Sequence, residues 1–328
     1  GSGVCGGATP VGNASGRKPR IVMDLKAMDA IESIDPISQV VKVQAGVMGQ
    51  VLEEQLNAKG FTMGHFPSSI YCSSFGGFLA TRAAGQLSTH YGKIEDIVIA
   101  IEGVLPNGEI FTTPRAPRMA VGPDWNHVFL GSEGTLAVLT AAWVKVHKLA
   151  ESRRFLSYQV SSTAEALDGV RSWMQAGLRP AVVRIYDEDE SRMLMGIKDG
   201  VKLICIVEGE SELTDFTADA IAKRSGARKG WIDLGTEPAE HWWSHRYDVS
   251  YRQQQIMSHR HMILDTFEVA ANWSGLMDLH RAVKAVSKDI ERGQMLVLLA
   301  HFSHFYHCGG NIYFTLCGRT LEEGKTAE

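Results

Sequence analysis

Polar and apolar residues are arranged along the 328-residue chain in patterns whose texture changes near the middle. In the first half, "IVMDL" (21–25) and "VVKVQAG" (40–46) read as strands. "VMGQVLEEQLNAK" (47–59) carries apolar residues at helical spacing, and Gly60 closes it. A Gly/Ser-rich loop follows, "GHFPSSIYCSSFGGFLATRAAG" (64–85), whose part from Gly76 onward has the small residues of a tightly packed helix start. "IEDIVIAIEGVLPNGEIFTT" (94–113) predicts two strands joined by a Pro-Asn-Gly turn, and "GTLAVLTAAWVKVHKL" (134–149) continues in strand. Beyond about Leu149, strands alternate with helices. "FLSYQV", "AVVRIY" and "VKLICIVEG" are strands, with a short acidic helix between the last two. Ser162 and Glu165 form a capping-box signature before "ALDGVRSWMQAG", and "ELTDFTADAIAKRSG" is a further helix. A long helix near 237–257, strand "HMILDTFEVA", helix "GLMDLHRAVKAVSKDIERG" and strands near 294–302 and 311–317 complete the pattern. The fold class is α+β, in two domains, 1–149 and 150–328, the second a sheet covered by helices.

Composition narrows the function classes. The chain is 45% apolar and 21% charged, with a formal net charge of −4 and both signs interspersed, which gives no footprint for nucleic acid. No apolar run reaches membrane-spanning length, so no transmembrane segment is expected. Five scattered cysteines without a CxxC pair point to reduced thiols in a cytoplasmic-type compartment. The chain opens on the glycine loop "GSGVCGG" with no strand leading into it, so we expect preceding sequence to be missing.

That loop matches G-x-G-x-x-G at Gly1, Gly3 and Gly6, with Asp24 near the distance of a ribose-binding acid. The fingerprint requires a helix whose N-terminus meets a pyrophosphate. The residues that follow, "GATPVGNASGRKPR", have no apolar periodicity and two prolines and cannot be that helix, so a Rossmann site is disfavoured. A backbone nest for phosphate needs glycine but no helix, and that reading stands. "VFLGSEGTLAVLT" (128–140) adds a turn with Glu133 between Gly131 and Gly134. Each loop alone reads as a surface turn; three together suggest backbone brought close to a ligand.

"GSGVCGG", "PSSIYCSSFGGFLATRAAG" and "GSEGTLAVLT", in this order and spacing, resemble the FAD-binding domain of the vanillyl-alcohol oxidase (PCMH-type) flavoproteins. The resemblance implies FAD as cofactor. It places Gly1, Ser2, Gly3, Val4 and Cys5 in the pyrophosphate loop, and Ser68, Ser69, Ser73, Ser74, Gly76 and Gly77 along the pyrophosphate and isoalloxazine. Thr81, Arg82 and Ala83 would lie beside the cofactor, and Glu133, Gly134, Thr135, Val138 and Leu139 at its adenosine end or flavin edge. Within this superfamily, "GHFPSSIYCSSFGGFLATRAAGQLSTHYGKIEDIV" and "APRMAVGPDWNHVFLGSEGTLAVLT" look most like the alkyldihydroxyacetonephosphate synthases. "AVVRIYDEDE", "LDTFEVAANW" and "YHCGGNIYF" continue the match into an FAD-linked oxidase C-terminal (cap) domain. Position 68 is serine where that family usually carries an acid, and both a segment before the first loop and a histidine-rich loop after the last residue are expected to be absent.

The densest candidate chemistry is "HFSHFYHCGGNIYF" (301–314). His301, His304 and His307 invite a metal reading, but along a strand His304 falls opposite the other two. In related 2-hydroxy-acid dehydrogenases the ligand histidines match Tyr306 and Tyr313, so a metal is disfavoured. Tyr306 matches the proton-transfer tyrosine of the synthases; it would need nearby positive charge or a relay to act as a base, and a core-lining role competes. Arg184, in an apolar strand, matches a synthase active-site arginine, with a structural salt bridge as the alternative. Arg252 is the candidate for substrate phosphate and Arg246 its fallback, while Trp242 and Trp243 read as core. The resemblance implies ether-lipid precursor synthesis: exchange of an acyl group of acyl-dihydroxyacetone phosphate for a fatty alcohol through a flavin N5 adduct. The alternatives are an FAD-linked oxidoreductase of a 2-hydroxy acid or alcohol, and a non-catalytic flavin-binding remnant. A homodimer is compatible with either enzyme.

Overall fold

The computed structural model describes residues 2–3, 5–9, 21–248, 262–290 and 297–319. Two compact units are formed: residues up to Gln86 together with Tyr91–Leu149, and Leu87–His90 together with the chain from Ala150.

The first unit is built on a five-stranded antiparallel sheet of order β1-β2-β6-β4-β5, with β1 (Ile31–Asp35), β2 (Val40–Gln44), β4 (Val98–Val104), β5 (Ile110–Thr112) and β6 (Val138–Lys145). A two-residue pair, β3 (Phe61–Thr62) and β7 (His147–Lys148), lies apart from it. Four short helices belong wholly to this unit: α1 (Gly49–Asn57), α2 (Phe75–Thr81), α4 (Ile94–Ile97) and α5 (Trp125–Phe129). The short helix α3 (Ser88–Tyr91) contributes residues 88–90 to the second unit. Alternate residues of β2 and β6 face inward, so Val41, Val43, Ala142 and Val144 pack with Leu52, Leu56, Phe78 and Leu79 of the helices. Two expectations change. "IVMDL" is not a strand: it pairs with nothing regular, and Ile21, Val22 and Met23 are 90%, 76% and 64% exposed. Residues 94–97 turn as helix before the predicted hairpin begins. The "GSEGT" turn joins the end of helix α5 to strand β6.

The second unit is a seven-stranded antiparallel sheet of order β11-β8-β10-β9-β13-β14-β12. Its strands are β8 (Ser152–Val160), β9 (Val182–Tyr186), β10 (Val201–Gly209), β11 (Trp231–Gly235), β12 (Met262–Asn272), β13 (Val297–Ser303) and β14 (Gly309–Arg319). One face carries Val183, Ile185, Leu203, Cys205, Ala300, Phe302, Ile312 and Phe314. It is covered by α6 (Thr163–Gln175), α8 (Ser211–Gly226) and α10 (Trp273–Ile290), through Trp173, Ile221 and Leu276. Of the predicted capping box, the Ser162 half is formed: Ser162 Oγ accepts the Glu165 N–H at the start of α6. Between β9 and β10 runs the acidic helix α7 (Glu188–Met195), capped by buried Asp187. The long helix expected near 237–257 is α9 (Glu237–His245) in its described part, and residues 249–261 lie outside the described residues. Strand β11 had no counterpart in the periodicity; it is a short edge strand with only two half-covered side chains, at Trp231 and Leu234.

Candidate functional site

In the first unit, the three glycine-rich loops come together. The segment 68–74 is tied to the start of α1: the N–H groups of Gly49 and Gln50 donate to the carbonyls of Ser73 and Ile70. Ser74 caps α2 by accepting the Gly77 N–H at 3.3 Å. A row of hydroxyls crosses this loop, with Ser73 Oγ 2.6 Å from Ser69 Oγ and 2.5 Å from Ser2 Oγ of the first loop. The "GSEGT" turn closes over the end of α2, where the N–H groups of Gly131 and Glu133 donate to Leu79 and Ala80. Arg82 and Glu133 both adopt left-handed backbone, at φ 51° and 50°.

The glycines are required by close approach. A Cβ on Gly76 would stand 2.8 Å from Ala45 Cβ, and one on Gly131, at φ 82°, would stand 2.5 Å from Arg82 Cδ. A Cβ on Gly7 would meet Glu133 Oε2 at 2.6 Å, which places the first loop against the third. Between Gly131 and Glu133, the Ser132 hydroxyl is buried with no hydrogen-bond partner among the described residues. A buried orphan hydroxyl in the third loop, and a row of serine hydroxyls and glycine backbone in the other two, fit the many acceptor oxygens of a dinucleotide pyrophosphate.

Individual side chains are placed as follows. Ser68 is exposed and accepts from Gln86, Thr81 Oγ1 donates to Gly77 O, and Arg82 pairs with Glu95 at 3.2 Å. Ala83 packs against the core, Leu139 is part of it, and Val138 is half-buried on β6. Cys5, Glu133, Gly134 and Thr135 are exposed. Gly1, Val4 and Arg252 lie outside the described residues. Ser132 was missed by sequence reasoning, although its place inside "GSEGT" was the available signal.

In the second unit the chemistry lies on the sheet face opposite the apolar core. Register aligns Tyr186, His301, Tyr313 and Glu268 in one row across β9, β13, β14 and β12. His301 stacks on Tyr313 with ring centroids 4.9 Å apart, and Asn311 donates to Glu268. Two residues before Tyr186 on the same face, Arg184 places Nη2 3.1 Å from His301 Nδ1. Burial, and then the Arg184 charge, push the His301 imidazole below its ordinary value, so the ring is neutral and accepts from the guanidinium. The Arg184 Nε–H is buried without a hydrogen-bond partner among the described residues. Burial pushes the Tyr186 phenol up to about 12, so it is protonated at neutral pH.

Tyr306 lies beyond the end of β13, in the loop to β14. Its hydroxyl donates to Ser88 Oγ at 3.3 Å, and Ser88 Oγ is 2.6 Å from His304 Nδ1. The expectation that His304 continues the strand is corrected: β13 ends at Ser303, and His304 turns the chain with φ 53°. The three histidines therefore diverge: His301 is buried on the sheet, His304 meets Ser88, and His307 is exposed. Among the described residues, no three His, Cys, Asp or Glu side chains converge in a way that could hold a metal. Trp242 and Trp243 are half-buried and stand outside the apolar core: the Trp242 ring is 5.9 Å from the Arg184 guanidinium, and Arg246 lies 3.8 Å from the Trp243 ring. His301, His304 and Ser88 escaped the sequence reading as partners, because no local spacing shows a contact 216 residues apart.

Residues 3–114 match the FAD binding domain family, and residues 149–328 match the C-terminal domain of FAD linked oxidases. The chain is 32% identical over 305 residues to the uncharacterized FAD-linked oxidoreductase YgcU of Escherichia coli (strain K12), covering 90% of this chain and 62% of that protein. It is 30% identical over 346 residues to the alkyldihydroxyacetonephosphate synthase of Caenorhabditis elegans, covering 94% and 58%. A solved alkyldihydroxyacetonephosphate synthase structure superposes with a TM-score of 0.79 at 26% identity, over 90% of this chain and 58% of that one. The chain thus spans about three fifths of the length of these relatives. No helix among the described residues is long and apolar enough to cross a membrane. The expected architecture, a PCMH-type FAD-binding domain followed by an FAD-linked oxidase C-terminal domain, is the one found, and FAD is its cofactor. The chain belongs to the FAD-linked oxidase family of flavoproteins.

Proposed function

We propose that the full-length protein is an FAD-dependent enzyme of the alkyldihydroxyacetonephosphate synthase type, which exchanges the acyl group of an acylated dihydroxyacetone phosphate for a long-chain alcohol. The observation that carries this reading is Tyr306, a half-buried phenol donating to a buried hydroxyl that in turn reaches an imidazole. Such a phenol can move a proton, which is what an exchange without net redox change asks of the protein.

Gly3, Cys5, Ser69, Ser73, Gly76, Ser132 and Glu133 are the described loop residues that would hold FAD, by backbone and hydroxyl groups. Bound FAD supplies an electrophilic and reducible ring system. The unpartnered Nε–H of Arg184 is a donor for an anionic substrate group, and neutral His301 holds the guanidinium in place. Arg252 is the second candidate for that anion. Tyr306 then gives or takes the proton at the oxygen of the group exchanged.

The similarity to YgcU, an uncharacterized FAD-linked oxidoreductase, supports a second reading as an oxidoreductase; on that reading the substrate would be a 2-hydroxy acid or alcohol. Anaerobic mixing separates the two. The synthase reading expects alkyl product by mass spectrometry from acyl-dihydroxyacetone phosphate and a fatty alcohol, with the oxidised flavin band perturbed but retained. Full bleaching by a 2-hydroxy acid, with no alkyl product, would overturn it in favour of the second.

A further inference from the structure

We propose that Ser88 and His304 form the proton outlet of Tyr306, a relay running from the phenol through the serine hydroxyl to Nδ1 of the imidazole. This rests on the reading of Tyr306 as the proton-transferring residue; Ser88 and His304 act through it and are positioning residues.

The geometry is a two-step chain. Tyr306 Oη donates to Ser88 Oγ at 3.3 Å, and Ser88 Oγ lies 2.6 Å from His304 Nδ1. A serine hydroxyl has one proton, so when it accepts from Tyr306 its own proton is directed to the imidazole. Ser88 is 1% exposed, which keeps water from substituting for it, while Tyr306 and His304 are half-buried. Transfer is balanced. The Tyr306 O–H bond breaks as one forms at Ser88, and the Ser88 O–H breaks as an N–H forms at His304. A phenolate and an imidazolium result, no electrons change hands, and the proton returns by the same path. Histidine is suited to this end of the chain because its charge changes near neutral pH.

The loop is held so that these three groups stay in line. Phe305 N–H donates to Thr89 Oγ1 at 3.1 Å, which ties the hairpin tip to the residue beside Ser88. Trp273 stacks on Phe305 at 5.5 Å with an interplanar angle of 2°, and its Nε1 donates to His307 O. Tyr306 N–H closes the turn onto Gly309 O, and a Cβ on Gly310 would stand 2.6 Å from the Phe305 ring. His304 itself has φ 53°, a strained setting for a non-glycine residue that persists only when its surroundings impose it. Tyr186 on β9 makes a contrast: it is buried beside Arg184, and burial pushes its phenol up to about 12.

The test uses the full-length holoprotein. In ¹⁵N-histidine NMR, His304 Nδ1 is expected to be unprotonated at neutral pH; a proton on Nδ1 would reverse the chain and overturn the proposal without any activity measurement. For whichever reaction the protein turns over, Ser88→Ala and His304→Asn, the latter keeping a residue tolerant of left-handed backbone, should lower kcat roughly 10²-fold with KM within about twofold. Added imidazole should restore part of the turnover of His304→Asn and none to Ser88→Ala. If Tyr306→Phe is inactive while both variants keep wild-type kcat, the relay fails and Tyr306 stands. An active Tyr306→Phe removes the reading on which the relay rests.

Discussion

In the first unit, Ser2 meets Ser73, Gly7 lies against Glu133 and Gly131 against Arg82, all on or next to glycine-rich loops. In the second, Arg184, His301, Tyr313 and Glu268 meet through side chains projected from four neighbouring strands. The first arrangement is specified by glycines and small hydroxyl residues on loops. The second is specified by strand register. A shift of one residue in β13 would send His301 into the apolar core and bring Phe302 to the polar face. The two regions should therefore respond differently to substitution, and four measurements test that contrast.

The largest effect is expected at Tyr306. Tyr306→Phe in the full-length protein should lower turnover by about 10²–10⁴-fold, with flavin content and thermal stability unchanged. Loss of flavin in this variant would break the separation between the two regions.

Asp187 comes next. It is 1% exposed, caps α7, and binds His280 Nε2 at 3.1 Å and Lys284 Nζ at 2.7 Å. Burial alone would raise its carboxyl, but the His280 hydrogen bond and the Lys284 charge outweigh it and hold the group below the ordinary range. Its stabilisation is thus present above the ordinary carboxyl value of 3.8 and is lost as pH falls through the lower folded value. Asp187→Asn should cost of the order of 3 kcal/mol at neutral pH, and much less in acid, by denaturant titration.

Glu53 in the first unit has the opposite sign. Burial pushes it up from 4.5 to about 7, against hydrogen bonds from Thr62 Oγ1 and the Met63 N–H. The folded state holds its proton longer than the unfolded chain, so stability falls as pH rises from 4.5 towards 7. Glu53→Gln should match the wild type below pH 4.5 and exceed it above pH 7 by up to roughly 3 kcal/mol. A constant difference across that range would show that Glu53 does not titrate there.

The smallest effect on stability is expected at Gly76. Its Cβ would stand 2.8 Å from Ala45 Cβ and 3.0 Å from Ala45 O, both parts of a packed segment. Gly76→Ala should destabilise the protein by about 1–3 kcal/mol through overpacking and should lower flavin content. An unchanged flavin content would sharpen the contrast by showing that the hydroxyl row, and not the close approach at Ala45, carries cofactor affinity.

Much of the fold was legible because it depends on local repeats. Apolar alternation marked β2, β8, β9, β10 and β14, helical spacing marked α1, α6 and α10, and Ser162 with Glu165 marked a helix start. Alternation failed where a strand needs a neighbour to exist. "IVMDL" has strand composition but no partner, while β11 has little apolar content and forms at the edge of β8. The glycine loops were legible because close backbone approach excludes a Cβ, and that requirement is written as glycine at the position itself.

The sequence by itself therefore determined the α+β class and the three glycine-rich loops, since each is encoded by residue type over a short span, while FAD and Tyr306 entered through the family resemblance that those motifs carry. Tertiary structure alone decided that the Ser132 hydroxyl is buried without a hydrogen-bond partner among the described residues, that Arg184 is held by His301, and that Tyr306 reaches His304 through Ser88. These depend on strand register and on contacts more than 100 residues apart in the chain. Hydrogen bonding and burial are set by which atoms pack together in three dimensions, and local periodicity carries no record of that.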